Sequence, residues 1–247
     1  MNESKNKNIA KVSHDMLESY VKEMNISALK VLMYIAKSDK VDVEKIHTLR
    51  DAQIIETKIS IKDMCDYCNI TPDNLRSNLK KMSETSIMIK DKKGKGYMNL
   101  LPYCMANYDG YLDVQIYAGI LKMTHALTAY SLVDASTFAS LTKAHSIRML
   151  MILNRINSFG TNVAKRKRYN LEELNEMFDT KYQTIPQFNR AVLVPAQAEL
   201  DEKSKLTFLF EQRKDKEERT VGRAKVVEVI IDLIERKNYQ PSLINTK

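Results

Sequence analysis

Between residues 170 and 231 the apolar positions fall into a helix, a break, a second helix and an alternating pair of strands. Leu171, Leu174 and Phe178 recur at helical spacing behind Asn170-Leu-Glu-Glu173, an N-cap with an acidic partner three residues on. Asp179–Gln183 breaks the pattern. Thr184-Ile-Pro-Gln187 is a second capping sequence, with proline in the first turn, where its missing N–H costs nothing. A helix should follow to about Lys203. Phe188, Val192, Ala196 and Leu200 form its buried stripe, and Gln187, Arg190, Val194 and Gln197 face away. Leu206, Phe208 and Phe210 then alternate with Thr207, Leu209 and Glu211. A charged turn runs from Gln212 to Arg219, and the β-branched stretch Ala224–Ile231 predicts the returning strand. Upstream, Lys143–Asn157 predicts a long helix with Ile147, Leu150, Met151 and Leu153 inward. Lys165-Arg-Lys-Arg168 reads as a basic loop between the two.

The first half carries the same order in weaker form. Residues 1–12 read as a disordered polar arm and Ser13–Met24 as a first helix. Ser27 caps a second, with Ala28, Val31, Leu32 and Ile35 on one stripe. Asp39–Thr57 is charged and yields no assignment. Ser60-Ile-Lys-Asp63 starts a capped helix with Ile61, Met64 and Cys68 inward. Thr71-Pro72 starts another, with Leu75, Leu79 and Met82 inward and Asn74, Ser77, Asn78 and Lys81 outward. Ser86–Lys90 and Tyr97–Leu101 predict paired strands around the lysine-rich turn Asp91–Gly96. Tyr111–Tyr117 alternates as a further strand, and Ala118–Ala139 is mostly helical with a break. A long apolar helix, two capped helices and a basic hairpin thus occur twice. The order predicts a helix-rich α+β chain of two tandem winged-helix domains, each a helix-turn-helix plus a β-hairpin wing. Their expected ranges are 13–118 and 119–237, with 238–247 as a loose tail.

Composition fits this picture. The 247 residues contain only 6 glycines and 5 prolines, as short loops between helices require. The formal net charge is +8, and it is uneven. Residues 1–118 hold 18 basic and 16 acidic residues (+2), and residues 119–247 hold 21 and 15 (+6). A basic half carrying a helix-turn-helix favours a polyanionic partner. Three cysteines are an odd set, which argues against a disulfide framework and for a reducing cytoplasm. No apolar run suggests a membrane span. Cys65-Asp-Tyr-Cys68 lacks the second ligand pair that zinc needs and falls within a predicted helix, so core packing is expected and no metal.

The second half also resembles a known family. KAHSIRMLMILNRINSFG, KRYNLEELNEMFDTKY and FNRAVLVPAQAELDEKSKLTFLFEQRK, in that order and spacing, resemble the iteron-binding replication initiator (Rep) proteins of theta-replicating bacterial plasmids. The match covers about residues 119–231, and Ile59–Met82 and Gly110–Tyr117 fit the family's N-terminal winged helix. The resemblance implies a cytoplasmic bacterial protein, acting on plasmid DNA, that is not an enzyme and needs no cofactor. It implies binding of direct repeats in an origin, opening of the adjacent DNA, and recruitment of the host initiator and the replicative helicase. It further implies repression of its own promoter as a homodimer in equilibrium with the monomer. The C-terminal domain would be the main reader, and the N-terminal one would add DNA contacts and the dimer surface.

Carried onto this chain, the resemblance makes residues 185–203 the recognition helix, with Gln187, Asn189, Arg190 and Gln197 as base readers. Amide and guanidinium groups pair bidentately with adenine and guanine. Phosphate contacts are expected from Lys165, Arg166, Lys167 and Arg168, from Lys181, Tyr182 and Thr184 at the helix start, and from Arg213, Lys214, Lys216 and Arg219 on the wing. Secondary contacts are expected from Asn74, Arg76, Ser77, Lys80, Lys81, Lys92, Lys93 and Lys95. Each of these sets is equally what a solvated basic face looks like. Three other functions stay open on sequence alone, one of them a winged helix that binds a protein partner. A winged-helix repressor of one palindromic operator shares every feature except the motif order. A DNA-nicking enzyme lacks the paired-histidine metal site it would need. There is no GxxxxGK[ST] loop for ATP.

Overall fold

The computed structural model describes residues 9–13, 26–37, 43–91, 94–124, 130–160, 162–214 and 226–236. The chain divides into two units, Met1–Ser140 and Leu141–Lys247.

In the first unit, strand β1 (Ile9–Ser13) precedes helices α1 (Ile26–Lys37) and α2 (Val43–Thr48). The expected stripe Ala28, Val31, Leu32 and Ile35 is buried. The helix starts at Ile26, so Ser27 lies in its first turn and does not cap it. Strand β2 (Ile54–Ser60) runs directly into α3 (Ile61–Cys68). Ser60 is both the last strand residue and the N-cap, its Oγ accepting the Asp63 N–H at 3.2 Å. A left-handed Asn69 (φ 52°) ends α3. Thr71 then caps α4 (Pro72–Glu84), with proline in the first turn. Such caps contribute about 0.5–2 kcal/mol each. Met64, Cys68, Leu75, Leu79 and Met82 are buried, as is Asn78, which was expected outward, and both helices pack on α1.

Strands β3 (Ser86–Asp91) and β4 (Gly94–Asn99) form a separate two-stranded ribbon. This corrects the expectation that the lysine-rich hairpin is the first wing. The wing is instead β5 (Tyr103–Ala106) with β6 (Tyr111–Tyr117), in a sheet of order β2-β6-β5. Leu112, Val114 and Ile116 point to the core as expected.

Residues after β6 stay with the first unit. The Ala118 N–H donates to the Gln53 carbonyl at 2.8 Å and the Gly119 N–H to that of Asp51 at 3.0 Å. A Cβ on Gly119 would lie 3.0 Å from the Asp51 Cβ, so the close approach favours glycine. Lys122 Nζ adds bonds to the Leu49 carbonyl (2.6 Å) and to Asp51 Oδ1 (2.7 Å). Helix α5 (Ala118–Thr124) is thereby fastened to the turn before β2, and the units part at Ser140/Leu141, later than the expected boundary at 118. Strand β7 (Tyr130–Asp134) precedes α6 (Ala135–Ser140) and interrupts the stretch expected as helix. It pairs antiparallel with β1, Ile9 opposite Asp134, so part of the expected arm 1–12 is a strand. The partner is distant in sequence, and no local pattern announces it. The helix expected at 13–24 falls, after Ser13, outside the described residues.

The second unit opens with α7 (Ala144–Asn157), whose Ile147, Leu150, Met151 and Leu153 are buried. The basic stretch expected as a loop is strand β8 (Arg166–Asn170). It leads into α8 (Leu171–Phe178) through a complete capping box. Asn170 Oδ1 accepts the Glu173 N–H at 2.9 Å, and Glu173 Oε2 accepts the Asn170 N–H at 2.8 Å. After the second helix come β9 (Leu206–Lys214) and β10 (Val226–Glu235), in a sheet of order β8-β10-β9. Both units thus pair the strand before the helix-turn-helix with the last strand of the hairpin. Strand β9 continues to Lys214, so the expected turn at Gln212 begins as strand; 215–225 and the expected tail 238–247 lie outside the described residues.

Candidate nucleic-acid interface

The second helix of the second unit has three parts: α9 (Ile185–Phe188), a π turn (Asn189–Leu193) and α10 (Val194–Lys203). Thr184 caps it, Oγ1 accepting the Gln187 N–H at 3.4 Å. Pro195 accounts for the π turn. Proline has no N–H for the carbonyl four residues back, here Ala191, and its ring crowds that carbonyl. The chain takes an extra residue into the turn, and the Val194 N–H bonds to the Asn189 carbonyl, five residues back. Such turns are frequent at functional sites.

The expected stripe Phe188, Val192, Ala196 and Leu200 is buried completely. Phe188 meets Phe178 edge-on, with ring centroids 5.4 Å apart. Gln187 and Arg190 are exposed on the other side. Asn189 is not: it is 4 % exposed, and neither its Oδ1 nor its Nδ2 has a partner among the described residues. Its expected role as a base reader is therefore corrected, because the side chain faces the core. Gln197 is half-buried, and its Nε2 donates to the Phe208 carbonyl at 2.6 Å, so its amide ties α10 to β9 instead of reading a base.

The basic residues sort into two groups. Lys165 Nζ donates to the carbonyls of Asn157 (2.7 Å) and Phe159, a cation at the C-terminal end of α7. Arg166 makes a two-pronged pair with Asp232, at 2.7 and 2.9 Å, across β8 and β10. Arg213 pairs with Glu228 at 3.1 Å. These three are engaged in the fold. Lys167 is exposed, with Nζ 5.1 Å from the Tyr169 ring centroid. Arg168, Lys181, Arg190 and Lys214 are exposed too, and no carboxylate among the described residues pairs with these four. Tyr182 is half-buried, its ring against Phe188 at 5.9 Å and its backbone N–H on Asn175 Oδ1 at 3.0 Å. Lys216 and Arg219 lie outside the described residues. Along α4, Asn74, Arg76, Ser77, Lys80 and Lys81 are exposed, with Arg76 beside Asp73 (2.8 Å) and Lys80 near Glu84 (4.0 Å). Lys92 and Lys93 lie outside the described residues, and Lys95 is placed in β4.

The two ends of the helix carry opposite charge. Lys181 and Arg190 lie toward its N-terminal, dipole-positive end, while Asp201 and Glu202 are exposed at the other. A phosphate backbone is favoured at the first end and repelled at the second.

Glu199 is the supporting residue that the sequence pattern did not single out. It is 5 % exposed and accepts the Thr142 N–H (2.8 Å), the Thr142 hydroxyl (2.7 Å) and the Lys143 N–H (3.1 Å). Lys143 provides no side-chain cap for α7, so Glu199 supplies one from α10. Burial pushes its carboxyl pKa up, but the Ser146 and Thr142 hydroxyls and the two amides outweigh that and hold it down at about 2. Arg148 donates to the Phe178 carbonyl, joining α7 to the end of α8.

Cys65 and Cys68 are buried core residues, and burial raises both thiols, that of Cys68 to about 12. Among the described residues no three His, Cys, Asp or Glu side chains gather as a metal ion would require. No helix among the described residues is long and apolar enough to cross a membrane.

Two family models match the chain. One, described as Initiator Replication protein, WH1, matches residues 5–154, and the other, Initiator Rep protein, WH2, matches residues 170–232. No curated protein matches. Among solved structures, the fold is similar to the crystal structure of the Pi initiator protein in complex with iteron DNA. The TM-score is 0.68 at 16% identity, over 94% of this chain and 99% of that one. Two structures of domains 2 and 3 of RctB are more distant, with TM-scores of 0.46 and 0.40 at 12% identity, over 85% of this chain and 82% of each of theirs. With the two models matched in sequence order over most of its length, the chain belongs to the initiator Rep protein family and carries that family's two winged-helix domains in tandem.

Proposed function

We propose that this chain initiates replication by binding double-stranded DNA at direct repeats of an origin, read by the recognition helix of the second unit. The observation that carries this is the exposed pair Gln187 and Arg190 on the N-terminal half of that helix, flanked by exposed Lys181 and backed by a fully buried stripe. In helix-turn-helix proteins this end of the second helix enters the major groove. Arg168, Lys181 and Lys214, all exposed, meet phosphates in this reading, and the exposed face of α4 adds secondary contacts. The solved complex of the Pi initiator with iteron DNA, a protein of similar fold, supports the same reading.

Within it, the bound chain opens adjacent DNA and recruits the host initiator and replicative helicase, without cofactor or catalytic step, and a homodimer in equilibrium with the monomer represses its own gene. The first test is a footprint of the full chain on DNA flanking its gene, at two salt concentrations. Several evenly spaced protections in direct repeat support an initiator. One symmetric protection over the promoter supports a simple repressor instead. No protection at either salt removes the DNA-binding reading.

A further inference from the structure

We infer that Val194 reads the C5-methyl group of a thymine in the major groove, as a third specificity contact beside Gln187 and Arg190. The inference rests on the reading of this helix as the DNA-facing one. Val194 is 51 % exposed, while Val192, Leu193 and Ala196 around it are buried. A single exposed valine is ordinary, but this one completes a row. Between Arg190 and Asp201 the exposed positions are Ala191, Val194 and Ala198. The middle of the outward face is therefore small and apolar, which lets the helix backbone come close to a groove floor. Val194 is the one side chain there large enough to project.

Thymine is the only common base that shows a methyl group in the major groove, and apolar side chains meet it there. A β-branched side chain in a helix is held in essentially one rotamer, so the Val194 methyls have a fixed position. Val194 also sits where the π turn hands over to α10, its N–H committed to the Asn189 carbonyl. It lies between the amide and guanidinium readers on one side and the acidic end, Asp201 and Glu202, on the other. Val163, Leu209 and Ile234 are also exposed, but none belongs to this helix.

The test uses duplexes selected by the full chain from a random-sequence pool. Each thymine of the selected site is replaced in turn by deoxyuridine, which removes only the methyl. At one position the replacement should weaken wild-type binding about fourfold, the factor that one buried methyl carries. Val194→Ala should bind the unmodified duplex about as wild type binds the uracil duplex, and should be indifferent to the replacement. Val194→Thr, which keeps the shape and one of the methyls, should retain part of the response. Unchanged thermal midpoints for both variants guard against misfolding, as expected at an exposed position. The inference is overturned if no thymine responds, or if Val194→Ala keeps the wild-type response at every position. A Val194→Ala change seen only in sedimentation, with the methyl response intact, assigns the residue to a protein contact and overturns it too. A selection that enriches no sequence defeats the DNA reading itself, a result distinct from an enriched site blind to the methyl.

Discussion

The Glu199 carboxylate accepts both the amide N–H and the hydroxyl of Thr142, at 2.8 and 2.7 Å. A residue near the end of α10 thereby caps the helix that opens the same unit. Glu199→Gln keeps the shape but turns one acceptor into a donor among donors. Losing charged hydrogen bonds in a buried place should cost about 2 kcal/mol, read in urea unfolding at pH 7. The folded carboxyl titrates at about 2 against 4.5 ordinarily, so it binds protons less well folded than unfolded. Its stabilisation is complete above about pH 4.5 and is lost as pH falls toward about 2. The gap between wild type and variant should therefore narrow on acidification. A gap that stays constant from pH 7 to pH 3 would show that the charge is not what holds the cap.

Asn189 makes the opposite case. A buried amide with no partner costs about 1–3 kcal/mol relative to an apolar group of the same shape. Asn189→Leu should raise the unfolding midpoint and leave DNA selectivity as it was. Lost selectivity with an unchanged fold would mean that Asn189 turns outward on the DNA and reads a base after all.

The two groups of basic residues predict different responses to salt. Arg168→Ala and Lys181→Ala should each flatten the log–log dependence of affinity on salt by about 0.9. Arg166→Ala should leave that slope unchanged, because its guanidinium is paired with Asp232. It should instead lower stability only slightly, since the pair is partly exposed. Equal slope changes for Arg166 and Arg168 would contradict the division.

Arg190→Ala and Gln187→Ala should weaken binding to the selected site more than to random duplex, by about 1–3 kcal/mol of discrimination each. Competition assays at fixed salt measure this ratio directly. Equal losses on both DNAs would reduce the two residues to phosphate contacts.

Much of this was legible in the residue order. The caps at Ser60, Thr71, Asn170 and Thr184 rest on a hydroxyl or amide meeting an amide a few residues away, and all four occur where the pattern places them. The stripe from Phe188 to Leu200 is a matter of helical period. What was illegible depends on distant partners. β8 is four charged or polar residues around one inward Tyr169, so nothing in its own pattern marks a strand; β10 supplies the pairing. β1 needs β7, far along the chain. Of the candidate site, Gln187 and Arg190 are where the period put them. Asn189 and Gln197 are not: Asn189 follows buried Ile185 by four residues and shares its inward side, and the Gln197 amide bonds to the Phe208 carbonyl of β9.

The extra residue in the π turn also bears on how such a reading head can be altered. One residue is about 100° of helical rotation, so the portions before and after Pro195's widened turn are out of phase with each other. Specificity copied from a relative position by position, across this point, arrives rotated unless the relative has the same turn. The exchangeable unit is the whole stretch from Thr184 to Lys203, proline included. A descendant that loses the proline re-aims its leading side chains together without changing any of them.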